Sequence, residues 1–426
     1  MKMKVNRRSF LRYALSGAAA MGTAHLTTAK DLFAAPAGPI VIGSQQELTG
    51  GFASWGYWLD KAGKAACDYI NKMGGIAKRK VEYVVEDSES NPTVGARKFR
   101  RLVQRYDAPF VVGSVHSGVG MSSVPVAKEL KTIYFPQAMA DELTGEKGNR
   151  YVFRANSDTY SQAAAGAEWA SKNLGMKWTF IFADYAWGWS HYNEHVAVLK
   201  KVPGAQVLEK LAVPVGTKDL LPYLTKVPPE TEELYSIFFG ADAVAFFTQS
   251  QELGLDKRMK RYTVICTHEA ICPKDLRGAT EGMYMLEYLP RKLQFKDTPY
   301  HRHLREAVGI EPVDGRETGG DKVVAGSHYW GVWESIFFLK KAIEQSGWKS
   351  RKDHPGLIKA LEGMQVKESK EFPQGDKYIR PQDHKAVIDF YMSKVENGEI
   401  NVQYKIPKET VAPKMPPKVD FTKEEV

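Results

Sequence analysis

One stretch of the sequence has the residue types and the spacing of a metal-dependent hydrolase. His191 and His195 stand four residues apart, and Glu194 precedes the second histidine. On a helix, residues four apart share a face, so both imidazoles could bind one zinc ion with the carboxylate beside them as a general base. A third ligand at a suitable spacing is not evident, and the motif is short. We interpret it as a helix surface with two histidines and keep a zinc hydrolase as an alternative.

The loops that follow predicted strands lack other common catalytic motifs. They contain no Gly-x-x-x-x-Gly-Lys phosphate loop, no Gly-x-Gly-x-x-Gly dinucleotide turn and no Gly-x-Ser-x-Gly nucleophile elbow. Cys67, Cys266 and Cys272 are too few and too scattered for a disulfide framework or a cysteine-ligated zinc site. Cys266 and Cys272 could still pair in an oxidising compartment. We therefore expect no enzyme activity, no cofactor and no metal.

The same loops are rich in aromatic and hydroxyl side chains instead. Aromatic walls with a few fixed polar groups remove water from a small ligand and orient it, and a hydroxyl at a helix start suits a carboxylate or amide oxygen. We therefore predict a site for a small polar or amphipathic molecule. These loop residues are Phe52, Trp55, Tyr57, Trp58, Ser114, His116, Ser117, Ser122, Ser123, Tyr185, Trp187, Trp189, Tyr192, His268 and Glu269.

Buried strands and amphipathic helices alternate along the chain, and this rhythm restarts after residue 155. Strand and helix alternation predicts parallel sheets with helices on both faces, so two runs predict two such α/β sheets. Residues 327–346 are so rich in large apolar side chains that we expect a largely buried helix there. Strands are predicted at residues 39–43, 81–85, 110–112, 133–135, 151–153, 178–182, 207–213, 235–239, 263–266, 283–289, 387–391 and 401–404.

The positive charge of the chain is concentrated at its start. The formal net charge is +9, and residues 1–37 hold six Lys or Arg and one Asp. About +4 is left for the rest, where both signs are interspersed, and the tightest basic cluster, Lys78-Arg79-Lys80, lies at a predicted turn. We therefore expect no nucleic-acid partner.

The N-terminus has the pattern of an export signal. Arg7 and Arg8 are followed by Phe10-Leu11 and by a short apolar stretch of small residues up to about residue 26. This order predicts a twin-arginine-type signal peptide over residues 1–37, which is removed on export to the periplasm. A membrane anchor is the alternative, but Gly17, Gly22 and His25 interrupt the stretch.

Several segments in order resemble the type I periplasmic binding proteins of ABC importers, in their leucine/isoleucine/valine- and amide-binding group. They are residues 40–56 with the Leu48-Thr49-Gly50 turn, residues 71–76, Glu86-Asp87-Ser88 with Asn91-Pro92, residues 111–114 and residues 133–138. The resemblance extends from about residue 39 to residue 405.

This resemblance implies two doubly wound parallel-sheet lobes joined by a three-strand hinge, with the ligand in the cleft between them. On that pattern the first lobe takes residues 38–155 and 288–370, and the second takes residues 156–287 and 371–410. Residues 411–426, with prolines among charged residues, are expected to form a loose tail.

Matched to the family position by position, several residues would line the cleft. Ser117, at a helix start, would bind a ligand carboxylate, and Glu269 would hold an ammonium, with His268 as the alternative. Met139 lacks the hydroxyl that helps such proteins to hold an α-amino acid. We therefore expect an amino acid or a related carboxylate or amide with an aromatic or aliphatic body. The full set is Trp55, Ser117, Gln137, Met139, Trp187, Asp242, Glu269 and His268.

The function implied by the resemblance is that of a monomeric receptor that closes on its ligand by hinge motion. An ABC permease with its ATPase subunits would then take up the ligand from the closed form. One alternative is a ligand sensor with the same fold and a signalling partner. The other is the zinc hydrolase of His191, Glu194 and His195.

Overall fold

The computed structural model describes residues 38–268, 276, 278–290, 297–311, 315–324 and 328–426. The expected signal peptide, Glu269 and Cys272 lie outside these residues, and so do the side chains of Cys266 and His268. The possible pairing of Cys266 with Cys272 therefore lies outside the described residues.

The described residues form fourteen strands, numbered in chain order. They are β1 (Ile40–Gln46), β2 (Val81–Asp87), β3 (Phe110–Gly113), β4 (Ile133–Pro136), β5 (Lys177–Ala183), β6 (Gln206–Val213), β7 (Glu233–Ile237), β8 (Lys260–Val264), β9 (Tyr284–Glu287), β10 (Gln365–Val366), β11 (Lys377–Ile379), β12 (Ala386–Val387), β13 (Phe390–Glu396) and β14 (Glu399–Ile406).

The α-helices of the described residues are numbered in the same way. They are α1 (Ala53–Lys72), α2 (Pro92–Arg105), α3 (Ser117–Glu129), α4 (Thr159–Asn173), α5 (Ala186–Leu199), α6 (Leu221–Leu224), α7 (Gly240–Glu252), α8 (Leu255–Arg258), α9 (Ile265–His268), α10 (Pro299–Val308), α11 (Tyr329–Ser346), α12 (His354–Leu361) and α13 (Lys408–Val411). None of the helices in the described ranges combines the length and the apolar character that a bilayer crossing requires.

Two sheets organise the fold, as the alternation of strands and helices predicts. The first has four parallel strands in the order β2-β1-β3-β4. The second has seven strands in the order β14-β13-β9-β8-β7-β5-β6, of which the last five are parallel. We call each sheet, with the helices that pack on it, the first and the second lobe. The predicted α/β fold class is confirmed.

The second sheet departs from a purely parallel pattern at one edge, where β13 and β14 form an antiparallel hairpin. A further small antiparallel sheet contains β10, β11 and β12. Helix α11 is buried along almost its whole length and packs on α1 and α12, as its apolar content predicts. Thus the last third of the chain contributes to both lobes.

Each predicted strand except residues 151–153 overlaps a strand of the structure. That prediction was wrong: Val152 makes a single bridge to Tyr134, and Arg154 makes one to Lys385. The segment leaves the first sheet here and does not run beside one neighbour long enough for a ladder. The predicted strand 263–266 ends early, because β8 pairs with β9 only as far as Val264 and α9 follows at once.

The C-terminal residues are packed against the fold, contrary to the loose tail expected from their composition. Met415 and Phe421 are buried, and the Phe421 amide donates to the Gln382 carbonyl at 2.7 Å. The prolines in this segment do not prevent packing, because its contacts are made by side chains and by short turns rather than by a ladder.

Stability is expected to fall in mild acid because the fold buries neutral histidines. Burial lowers the pKa of His195 to about 3, lowers the pKa of His116 and His354 to about 4, and lowers the pKa of His191 well below its ordinary 6.5. Below pH 6.5 the unfolded chain therefore takes up protons that the folded protein does not. This stability is fully present above pH 6.5 and is lost as the pH falls.

We expect about 1 kcal/mol of lost unfolding free energy per histidine for each pH unit between pH 6 and 4.5. Urea unfolding at pH 7, 6 and 5 measures this loss. A His354→Gln variant should show a shallower pH dependence, since one of these groups is removed. An unfolding free energy that stays constant from pH 7 to pH 5 would contradict the prediction.

Candidate functional site

A narrow cavity lies where the carboxyl ends of strands from both lobes meet. The space in it that the centre of a water molecule can reach is only about 20 Å³, so its walls are nearly in contact in this structure. Ligands of doubly wound sheets bind at these strand ends, so its position fits a binding site. Its walls are Phe52, Trp55, Val115, Met139, Tyr185, Trp187, Phe239 and His328.

Both lobes supply walls of this pocket because their loops leave the sheets towards each other. From the first lobe, Trp55 lies in the first turn of α1 and Met139 follows β4. From the second lobe, Trp187 lies in the first turn of α5 and Phe239 follows β7. His328 directly precedes α11.

Aromatic rings of the two lobes touch across the pocket. The rings of Phe52 and Phe239 stack with centroids 4.2 Å apart, and those of Trp55 and Phe239 meet edge to face at 6.4 Å. The Tyr185 ring also meets Phe52 at 6.2 Å and His116 at 5.5 Å. Since such contacts require the lobes to be close, the structure has the cleft closed at this point.

A polar clamp holds the loop that carries Phe52. The Asp87 carboxylate accepts hydrogen bonds from the Leu48 amide at 2.9 Å and the Thr49 hydroxyl at 2.7 Å. The Ser90 hydroxyl donates to the Thr49 carbonyl at 2.8 Å and accepts from the Phe52 amide at 3.2 Å. The end of β2 therefore sets the position of this pocket wall.

Glu47 performs a similar task for the Val115 wall. Its buried carboxylate accepts from the Val115 amide at 2.9 Å, the Ser114 hydroxyl at 2.8 Å and the Ser88 hydroxyl at 3.0 Å. Ser114 has a left-handed φ of 62°, which a non-glycine residue adopts only with support from its surroundings. Burial raises the pKa of Glu47. These bonds join the loops after β1, β2 and β3.

The described walls carry no Asp, Glu, Lys or Arg side chain. Trp187 is 4% exposed, and its indole Nε1 has no hydrogen-bond partner among the described residues. A buried donor without a partner loses free energy that an acceptor on a ligand would restore. The pocket therefore suits an apolar ring with an oxygen acceptor.

Three residues of the expected site, Trp55, Met139 and Trp187, come together as walls of this pocket. Ser117 and Gln137 are buried beside it but are occupied by the protein itself. The Ser117 hydroxyl accepts from the Ala140 amide at 3.3 Å, so that it ties α3 to the loop after β4.

Gln137 is bound within the protein like Ser117, and the remaining expected residues lie away from the pocket or outside the described residues. The Gln137 amide donates to the Ser335 hydroxyl at 3.1 Å and thus packs on α11. The Asp242 carboxylate accepts from the Gly216 amide at 2.8 Å and holds a surface loop. Glu269 and the His268 side chain lie outside the described residues.

Sequence reasoning did not select Phe52, Val115, Tyr185, Phe239 and His328 for the site, although Phe52 and Tyr185 were noted in the aromatic loops. Val115 and Phe239 follow strands of parallel sheets closely, so the rule used for the other loops could have found them. His328 precedes a helix that does not follow a strand, and no pattern in the sequence marks it.

The histidines of the suspected zinc motif are fully buried, whereas we expected them on a helix surface. His191 and the Tyr235 hydroxyl are 2.9 Å apart, and His195 Nδ1 is 2.9 Å from the His191 carbonyl. Glu194 pairs with Lys418 at 2.7 Å. This face of α5 packs on the second sheet, so the two imidazoles make their contacts inside the core. The described residues contain no cluster of three or more metal-ligating side chains.

Comparisons with known proteins agree with this architecture. Residues 39–399 match the model of the family described as periplasmic binding protein. The Leu/Ile/Val-binding protein BraC3 of Rhizobium johnstonii is 30% identical over 203 residues, which is 47% of this chain and 54% of that protein. A chemotactic signal transduction system substrate-binding protein, BasB of Halobacterium salinarum, is 26% identical over 35% of this chain and 38% of its own. The chain thus matches about half the length of BraC3 and less of BasB.

Solved structures have the same fold over most of the chain. A solute-binding protein of an ABC transporter from Rhodopseudomonas palustris, in complex with 3,4-dihydroxybenzoic acid, superposes with a TM-score of 0.74 at 22% identity and covers 87% of this chain and 98% of that one. LivJ of Streptococcus pneumoniae, in complex with isoleucine, gives 0.69 at 18% identity, with 87% and 99% covered. Because the family model matches most of its residues, the chain belongs to the periplasmic binding protein family.

Proposed function

We propose that this protein is the exported solute-binding component of an ABC importer. It binds an amino acid or a related small carboxylate or amide with an aromatic or aliphatic body, and it closes its two lobes around that ligand. The observation that carries the proposal is the narrow pocket whose aromatic walls come from both lobes. Such a site gains most of its contacts only when the lobes are together.

The arrangement of these walls supports hinge closure. A ligand shifts the balance towards the closed form by its difference in affinity for the two forms. Trp55 and Trp187, on opposite lobes, can hold the same ligand only after closure. A micromolar receptor requires about 8 kcal/mol of net binding free energy. One hydrogen bond to a charged group and the burial of a ring contribute about 3–6 kcal/mol together, so further hydrogen bonds to the ligand are needed to reach this value.

The wall chemistry favours a planar ring with an oxygen acceptor within the proposed ligand class. The partnerless Trp187 donor suits a carboxylate or hydroxyl oxygen, and the described walls hold no carboxylate for an ammonium group. The similar structures include a complex with an aromatic acid, in the R. palustris protein, and one with an amino acid, in LivJ. The described walls also hold no Lys or Arg for a carboxylate, so a hydroxybenzoate-like ligand, with one charged group, fits them better than a leucine-like one, with two.

The remaining parts of the proposal concern location, organisation and partners. Residues 1–37 act as the twin-arginine-type signal and are removed, and the mature protein works as a periplasmic monomer. Its hinge separates residues 38–155 and 288–370 from residues 156–287 and 371–410. The closed form is the one that the permease recognises, and the ATPase subunits drive uptake.

A sensor is the second candidate, because one relative is named as a chemotactic substrate-binding protein. Both functions need the same pocket and the same closure, so they differ only in the partner. Genes for a permease and two ATPases next to this gene would support transport. A neighbouring transducer gene without them would support sensing.

A thermal-shift panel tests the proposal directly. The mature protein is heated separately with 4-hydroxybenzoate, 3,4-dihydroxybenzoate, benzamide, isoleucine, leucine and phenylalanine, each at the same millimolar concentration. A ligand at about 100 times its dissociation constant adds about 2.7 kcal/mol of stability, which raises the melting temperature by several degrees. Calorimetry on each active compound measures affinity. If no carboxylate or amide shifts the melting temperature, the proposed ligand class is wrong.

A further inference from the structure

The C-terminal residues make contacts that the family match does not include. The matched region ends at residue 399. We call residues 412–426 the C-terminal strap. It follows β14 and α13 of the second lobe and ends beside the first lobe. A segment that reaches from one lobe to the other can affect how far they separate.

The beginning of the strap is attached to α4 in the second lobe. The Lys414 ammonium pairs with the Glu168 carboxylate at 2.8 Å. The Tyr160 hydroxyl donates to the Pro416 carbonyl at 3.1 Å. Glu168 and Tyr160 are both on α4, so the strap starts from a fixed position on that helix.

The end of the strap is attached to the first lobe. The Lys128 ammonium of α3 pairs with the Glu424 carboxylate at 3.1 Å, and the Arg150 side chain donates to the Glu424 carbonyl. The Phe421 ring fills the space beside Gly148, where a Cβ would come within 2.5 Å of it. Loss of contact at either end is therefore required if the lobes separate widely.

Lys418 lies between these two attachments and binds two carboxylates at once. Its ammonium is 3.0 Å from Asp141 and 2.7 Å from Glu194. Asp141 is two residues after Met139, and its amide also donates to the Ser190 hydroxyl of α5 at 3.1 Å. Glu194 is on α5, the helix whose first turn carries Trp187. Lys418 thus connects two elements that each carry a pocket wall.

We propose that Lys418 is a positioning residue, whose ammonium holds α5 against the segment after β4 and so keeps the Trp187 and Met139 walls together. Without it, two largely buried carboxylates on facing elements would repel each other and lack a shared counter-charge. Asp141 would keep its pair with Lys385, whereas no other cation is found beside Glu194 in the described residues. The loss would favour separation of the lobes.

The test uses the full mature chain without ligand, with hydrogen exchange measured by mass spectrometry. In a Lys418→Met variant, peptides that cover residues 139–145 and 186–191 should exchange about three- to tenfold faster than in the wild type. The moderate factor reflects the partial exposure of the lysine. Lys418→Arg should preserve slow exchange because it keeps the charge.

Lys423→Met is the matched control, because Lys423 is in the same strap but is largely exposed and pairs only with Asp420 there. The Lys423→Met variant should show the same hydrogen-exchange rates as the wild type. Wild-type protection in Lys418→Met would overturn the inference. So would faster exchange spread over the whole chain, or fast exchange in Lys418→Arg at the same sites. Since no ligand is added, this result is independent of whether the proposed ligand class is correct.

Discussion

Replacement of Trp187 with alanine is expected to weaken ligand binding by at least about 30-fold. The indole is 4% exposed and forms one wall of a small pocket, so its removal takes away roughly 2 kcal/mol of ring burial and a buried donor that has no partner among the described residues. The effect should be measured by calorimetry with 4-hydroxybenzoate and isoleucine. Urea unfolding of the same variant should also show a loss of about 3–5 kcal/mol, because the buried ring is part of the core, so calorimetry is carried out where the variant is still folded.

Two further variants separate the ring from its donor. Trp187→Phe keeps an aromatic wall and removes the N–H group, so about a five- to tenfold loss is expected. Trp189→Ala removes the same type of side chain from the same helix. Its indole donates to Asp184 at 2.7 Å and is not a wall of the pocket, so binding should be nearly unchanged. Equal losses in Trp187→Ala and Trp189→Ala would disprove the assignment of this pocket.

Replacement of Lys377 with methionine is expected to cost about 3–5 kcal/mol of unfolding free energy. Lys377 and Glu334 form an ion pair in which neither side chain is exposed. The Glu334 carboxylate also accepts from the backbone N–H of Gln374 at 2.9 Å, and the lysine ammonium lies 4.8 Å from the Trp330 ring centre. Without the lysine, a buried carboxylate on α11 lacks its counter-charge.

Guanidinium unfolding followed by circular dichroism measures this change. The double variant Glu334→Leu and Lys377→Met should recover most of the stability, because both charges are then absent. Lys367→Met is the control, since that lysine forms an exposed pair with Asp376 and should barely matter. A small loss in Lys377→Met, or a double variant no more stable than the single one, would disprove the buried-pair argument.

The position of the pocket could be predicted from sequence better than its complete lining. Loops after parallel strands meet at one edge of each sheet, so Trp55 and Trp187 were found from their places after predicted strands, and Met139 was found from the resemblance to the family. Ser117 also follows a strand, but its hydroxyl is taken up by the Ala140 amide. Sequence spacing shows on which element and which face a side chain lies, but not which hydrogen-bond partner it contacts. For that reason the aromatic walls were easier to predict than the polar groups.

The suspected zinc motif illustrates the same limit. Four-residue spacing correctly placed His191 and His195 on one face of α5. Whether that face meets solvent or the sheet depends on how the helix packs, and Tyr235 shows that it meets the sheet. The C-terminal residues are a second case. Their prolines and charges suggested a loose tail, yet Lys418 and Phe421 find partners that are hundreds of residues away in the chain.

The sequence by itself determined the α/β class, the alternation of strands and helices and the burial of α11, because these depend on local apolar periodicity. Only the tertiary structure decided that Phe52, Phe239 and His328 line the same pocket. It alone also decided that Lys418 attaches the strap to α5. Contacts between distant segments depend on the relative placement of whole elements. A periodic pattern in the chain does not contain that information.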